Sequence, residues 1–141
     1  MSYNLYKYLF CIYFLTFINI EGYTQEIQAK NHNISGYIKN DGTIHDNNHN
    51  TVGFIKNDGT IQNSNHSTIG YIKGDGTIQN GNHTIVGYVK INGTVQDMNH
   101  RTLGYVKGDG TVQNINHSTI GYARDINKEW AAVFYFFFEF D

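Results

Sequence analysis

The chain has 141 residues and a formal charge of −2 at pH 7 with its seven histidines neutral, which excludes the basic surface that nucleic acid or anionic lipid requires. Proline is absent, glycines number 15 and aromatics make up 15% of the residues, a balance that favours turns and pleated strands over helices. The single cysteine, Cys11, lies in an N-terminal apolar run, so the rest of the chain has no thiol for a disulfide, a cysteine metal site or a nucleophile.

That run is the first element. Lys7 precedes the uncharged stretch Tyr8–Ile20, and Glu21-Gly22-Tyr23-Thr24-Gln25 follows it. A bilayer span needs roughly 20 residues, whereas a secretory apolar region takes about 7–15 after a basic residue and ends at small side chains. Gly22 and Thr24 have the small-x-small arrangement. Residues 1–24 therefore read as a signal peptide cut near Thr24/Gln25, and 25–141 as one exported domain without a transmembrane span. Phe10, bulky and only ten residues in, argues against a lipoprotein reading of Cys11.

From residue 36 the chain repeats. Gly-aromatic pairs recur at Gly36-Tyr37, Gly53-Phe54, Gly70-Tyr71, Gly87-Tyr88, Gly104-Tyr105 and Gly121-Tyr122, always 17 residues apart. Each unit follows G-[YF]-[IV]-K-x-[DN]-G-T-[IV]-x-[ND]-x-N-H, and residues 36–120 hold five complete copies. Ile27-Gln28 and Asn31-His32 match the back half of a unit, while Gly121-Tyr122-Ala123-Arg124 match the front half. Within a unit, a three-residue type I turn with a G1 bulge pairs Ile72 with Ile78 and puts Gly76 in the left-handed region. A two-residue turn would instead pair Lys73 with Ile78 and lose the β-branched cross-strand pair. No single hairpin buries enough apolar surface to stand alone. The units must therefore share one core, built from Ile38, Ile44, Ile55, Ile61, Ile72, Ile78, Val89, Val95, Val106 and Val112. Val52, Ile69, Val86, Leu103 and Ile120 add to it.

The last element, Trp130-Ala131-Ala132-Val133-Phe134-Tyr135-Phe136-Phe137-Phe138-Glu139-Phe140, is a nearly uncharged aromatic run too short to span a membrane as a helix. It reads as a core strand over 129–141, buried on both faces. Left exposed it would be an aggregation segment.

The repeats GYIKNDGTI, GFIKNDGTI, GYIKGDGTI and GYVKGDGTV, the leader, and the terminal EWAAVFYFFFEF together resemble the 5-fold β-flower proteins, small exported proteins of Bacteroidetes. The resemblance covers essentially the whole chain after the leader. It implies a radial arrangement of five hairpin petals around the aromatic C-terminal segment, and it supplies no catalytic or binding residue. The expected fold is thus all-β, with five 17-residue hairpins in a radial or closed arrangement around an aromatic C-terminal strand.

Four rows of side chains could carry chemistry. Six in-register histidines (His32, His49, His66, His83, His100 and His117) could ligate a metal, but at separate petal tips they cannot meet around one ion, so no metal and no cofactor is expected. His45 is out of register. Asp41, Asp58, Asp75 and Asp109 give one carboxylate per turn, far short of the six to eight oxygens around Ca²⁺, and read as turn formers. Lys39, Lys56, Lys73, Lys90 and Lys107, continued by Arg124, form a cationic row that could meet an anionic ligand or simply solvate a strand end. Tyr37, Phe54, Tyr71, Tyr88 and Tyr105, continued by Tyr122, point away from the Ile/Val face by strand alternation and either pack between petals or form a contact platform. Ser67, Ser118 and the threonines beside histidines lack an orienting acid and a unique position, so the chain is not expected to be an enzyme. The reading is a non-catalytic exported structural or interaction module of the cell envelope that contacts protein or glycan. The alternative is a small lectin-like module using the Tyr/Lys row.

Overall fold

A computed structural model describes residues 24–32 and 34–140; the apolar run with Cys11 lies outside them. Twelve short strands follow in order: β1 Thr24–Ala29, β2 Ile34–Lys39, β3 Thr43–Asp46, β4 Thr51–Ile55, β5 Thr60–Asn63, β6 Thr68–Ile72, β7 Thr77–Asn80, β8 Ile85–Val89, β9 Thr94–Asp97, β10 Thr102–Val106, β11 Thr111–Asn114 and β12 Thr119–Ala123. Each pairs antiparallel with its chain neighbours, and β1 pairs with β12, so the sheet closes into a barrel without an edge.

The hairpin register is the one that the β-branched pairs demand. Ile38 faces Ile44, Ile55 faces Ile61, Ile72 faces Ile78, Val89 faces Val95 and Val106 faces Val112. The two partial copies assemble a sixth unit in the same register, with Ala123 opposite Ile27 and Tyr122 opposite Gln28. Five petals are therefore the continuous hairpins of a wall that has six units. Closure requires the sixth, because without it β2 and β11 would each present an unpaired edge.

Two kinds of turn join the strands, and they share one geometry. Gly42 N–H donates to Lys39 O (2.8 Å) with Gly42 at φ +82, while His49 N–H donates to Asp46 O (3.1 Å) with His49 at φ +65. Both put the residue before the bulge in the left-handed region, where glycine is unstrained and histidine is tolerated better than most side chains. Glycine is needed at the first turn for a second reason. Ile55 N–H donates to Gly42 O at 2.8 Å, and a Cβ on Gly42 would run into Ile55 O. The histidines of the second turn are exposed.

Inside the wall, strand alternation points glycine and Ile/Val inward and the aromatic and lysine outward. Ile27, Ile38, Ile44, Ile55, Ile61, Ile78, Val95 and Val112 are fully buried in one ring of the core. A bulge after Ile44 and its equivalents turns a further residue inward, and Val52 is buried there, while Ile69, Val86, Leu103 and Ile120 are half-buried.

The C-terminal run is not a strand. It forms helix α1 over Lys128–Ala132, with Asn127 Oδ1 capping Trp130 N–H at 3.1 Å, and continues as a π turn over Val133–Phe137, closed by Phe138 N–H to Val133 O at 3.1 Å. Every wall strand already has two partners, so a thirteenth strand in the lumen would leave its own N–H and C=O groups without partners; a helix satisfies them internally. Its side chains also radiate in all directions, which a strand cannot do. Each ring reaches one wall glycine in circular order: Phe134 at Gly36, Tyr135 at Gly121, Phe136 at Gly104, Phe137 at Gly87, Phe138 at Gly70 and Phe140 at Gly53. A Cβ on Gly53 would lie 2.5 Å from Phe140, and one on Gly104 would lie 2.8 Å from Phe136, so these glycines are the seats of the plug.

Candidate functional site

The outer face of the wall carries the rows picked out in the sequence, and the structure couples them. Each left-handed turn histidine folds back over the aromatic side chain of its own unit. The pairs are His49 on Tyr37, His66 on Phe54, His83 on Tyr71, His100 on Tyr88, His117 on Tyr105 and, across the sixth unit, His32 on Tyr122. Centroids are 4.3–4.6 Å apart and ring planes 11–17° apart, and the histidines are exposed over half-buried rings. Such a stack contributes about 0.5–1.5 kcal/mol, enough to offset the left-handed backbone at roughly 1–2 kcal/mol in part.

The cationic row lies alongside. Lys90 Nζ is 5.2 Å from the Tyr88 centroid, Lys107 Nζ is 5.9 Å from that of Tyr105, and the Arg124 guanidinium is 5.7 Å from that of Tyr122. Lys39, Lys56 and Lys73 are exposed at equivalent positions. The candidate contact row is thus a belt of six units in which imidazole, aromatic ring and cation recur together. The sequence supplied all three rows but not their stacking. The signal was the equal spacing of the two turns: Lys-x-Asp-Gly and Asn-x-Asn-His each end on a residue that tolerates positive φ.

His45 stands in strand β3 where other units have glutamine. Its Nδ1 is 3.0 Å from His49 O, the contact that Gln96 Nε2 makes to His100 O at 3.1 Å. The turn aspartates are used locally. Asp41, Asp58, Asp75 and Asp109 accept Thr43, Thr60, Thr77 and Thr111 N–H at 2.9 Å, and these bonds hold their carboxyls below the ordinary carboxylate range. Among the described residues no three His, Cys, Asp or Glu side chains come together as ligands for a metal.

With the closed wall, the glycine seats and the plug in view, comparison with known families is decisive: residues 24–139 match the family described as 5-fold beta-flower protein. The chain belongs to that family. No curated protein and no solved structure is significantly similar to it.

The β-flower wall departs from its own symmetry at the sixth unit, where β12 and β1 meet without a connecting turn. Tyr135, the one hydroxylated ring of the plug, sits there. Its hydroxyl lies 2.7 Å from Gln28 O on β1 and 3.1 Å from Tyr122 O on β12, so it hydrogen-bonds across the seam. Burial pushes its pKa up to about 12. On the outside of the same seam a cavity of about 580 Å³ opens between β1, β12 and the first glycine turn.

Among the described residues no helix is long and apolar enough to cross a membrane, and the strands have four to six residues where a spanning strand needs about 9–11.

Proposed function

We propose that this β-flower is a non-catalytic, exported interaction module of the cell envelope that engages its partner through the outer belt. The observation that carries this reading is the sixfold recurrence of one surface unit, an exposed imidazole on an aromatic ring. Six copies of a weak contact on one rigid body gain avidity when a partner offers repeated epitopes, by about 10²–10⁴ for linked sites. An active site needs unlike groups converging on one place, and the belt offers like groups at six places. Export is supported by the apolar run after Lys7 and the small residues before Gln25.

The test is to replace the turn histidines by asparagine, which also tolerates the left-handed turn, at two, four and then all six positions. Retention on a cell-envelope fraction should fall stepwise with the number replaced, and unchanged retention of the sixfold variant would refute the reading. N-terminal sequencing of exported protein should begin near Gln25; recovery of Met1 would remove the export part.

A lectin-like use of the Tyr/Lys row is the second reading, favoured by the cations beside Tyr88 and Tyr105. The imidazoles cover one face of each ring, so a saccharide would meet histidine first on that side. A glycan array separates the two readings, since only the second requires binding of isolated glycans to that row.

A further inference from the structure

We infer that the end of the split sixth hairpin is a binding site for a neutral saccharide, built on the belt's Tyr122 and Arg124 and completed by residues that the other units lack. At the other five units a glycine turn closes the hairpin end. Here Asp125, at φ +60, carries the chain away toward α1, and β1 enters from the opposite side. No described residue closes this end; with the leader cut before Gln25, the reading proposed above on which this inference rests, it stays open, and the cavity of about 580 Å³ lies over it, within the roughly 300–1,000 Å³ of small-molecule sites.

Register identifies what is different about the seam. Glu26 pairs with Tyr37 as Thr43 pairs with Phe54, so Glu26 stands where the other units have Thr43, Thr60, Thr77, Thr94 and Thr111. Arg124 stands where they have lysine, and Gln25 where they have the turn glycine. In this unit the repeat's residues give way to unlike ones that line a common cavity.

Their chemistry selects the ligand class. A sugar hydroxyl donates one hydrogen bond and accepts others, so a saccharide site needs acceptors and donors interleaved. Glu26 and Asp125 only accept, Arg124 only donates in a planar fork, and the amides of Gln25, Gln28 and Asn40 do both. The carboxylate is held in place, since Gln28 Nε2 donates to Glu26 Oε2 at 3.1 Å, and Gln25 Nε2 is hydrogen-bonded to Asp125 O. Tyr122 makes a fixed wall, clamped by the His32 stack at 4.5 Å on its ring and by the Tyr135 hydroxyl at its carbonyl. Two carboxylates beside one guanidinium disfavour phosphate and uronate ligands, and the guanidinium disfavours a simple cation. The uncharged polyol is the class that uses every group.

The experiment is a side-chain amide NMR titration of the purified chain with maltotriose, cellotriose, mannotriose and triacetylchitotriose. Trigalacturonate and spermidine serve as charged comparators. At least one neutral trisaccharide should shift the Gln25, Gln28 and Asn40 amides at millimolar concentration while leaving Gln62, Gln79 and Gln113 unmoved. The double variant Glu26→Thr with Arg124→Lys gives the seam the residues of the other units; it should melt like the parent and bind at least tenfold more weakly. The inference is overturned if no neutral probe shifts the seam amides, if a charged comparator alone does so, if equivalent glutamines of all units shift together, or if the double variant binds as the parent does. Shifts spread over all units would speak for the belt, so failure of the seam site and failure of the belt reading have different signatures.

Discussion

The wall and the plug of this β-flower solve the same burial problem by opposite means. The wall repeats one 17-residue unit and satisfies its backbone between strands; the plug has no repeat and satisfies its backbone within a helical turn. They meet at six glycines and six rings, one to one. Symmetry in the wall creates equivalent seats, and only a segment whose side chains radiate from an axis can fill them all.

Removing the plug should have the largest effect. Truncation after Lys128 takes every seated ring from a lumen lined by glycine. Burial contributes roughly 1.5–3 kcal/mol per fully buried large apolar side chain, against a net stability of about 5–15 kcal/mol. An unfolded or aggregated product by circular dichroism and size exclusion is expected. A monomer with an unchanged melting curve would make the segment a docking tail instead.

Within the plug, Phe136→Ala empties one seat. Because the ring is only half-buried, the cost should sit at the low end of the usual range, about 3 kcal/mol by denaturant unfolding. From the wall side, Gly87→Ala fills a seat that Phe137 and Gln96 O already occupy, and overpacking should cost about 1–3 kcal/mol. Gly74 is the control. A Cβ there meets nothing within 4 Å, so Gly74→Ala should be neutral or stabilise by up to about 1 kcal/mol. Equal losses at Gly87 and Gly74 would mean that the seats are not what fixes glycine in the wall.

The seam gives a smaller effect. Tyr135→Phe keeps the ring in its seat but removes the hydrogen bond across β1 and β12, for an expected loss of about 0.5–1.5 kcal/mol. It should also change the alkaline limb. Tyr135 titrates at about 12 in the fold against about 10 when unfolded, so its contribution is complete below pH 10 and is lost as pH rises toward 12. The variant should lack that part of the alkaline destabilisation, measured as melting temperature against pH.

The smallest effect belongs to the glycine turns. Asp41, Asp58, Asp75 and Asp109 have carboxyls held below their ordinary range by the threonine N–H bonds, so their contribution is present above the unfolded value near pH 4 and is lost as pH falls below it. Asn92 makes the same bond, to Thr94 N–H at 3.0 Å, without a titrating group. Replacing the four aspartates by asparagine should move the acid unfolding midpoint to lower pH with little change at pH 7. An unmoved midpoint would show that the acid limb lies elsewhere.

Local chemistry made much of the wall legible in advance. The Ile72–Ile78 pairing, the left-handed Gly76 and the inward Ile/Val ring follow from contacts a few residues apart in sequence, where turn type fixes register and register fixes facing. The match between six Gly-aromatic pairs and the six rings of Phe134 to Phe140 was also present in the sequence and is the clue to the seats. The count of six wall units was not legible, because it depends on β1 and β12 meeting across nearly the whole chain. The expected C-terminal strand became a helical plug because backbone partners are assigned by the closed wall, and no local propensity of an aromatic run reports that the wall has none to spare. The sequence determined the hairpin; the tertiary structure decided how many hairpins close the ring, what fills it, and which residues meet where β1 and β12 pair.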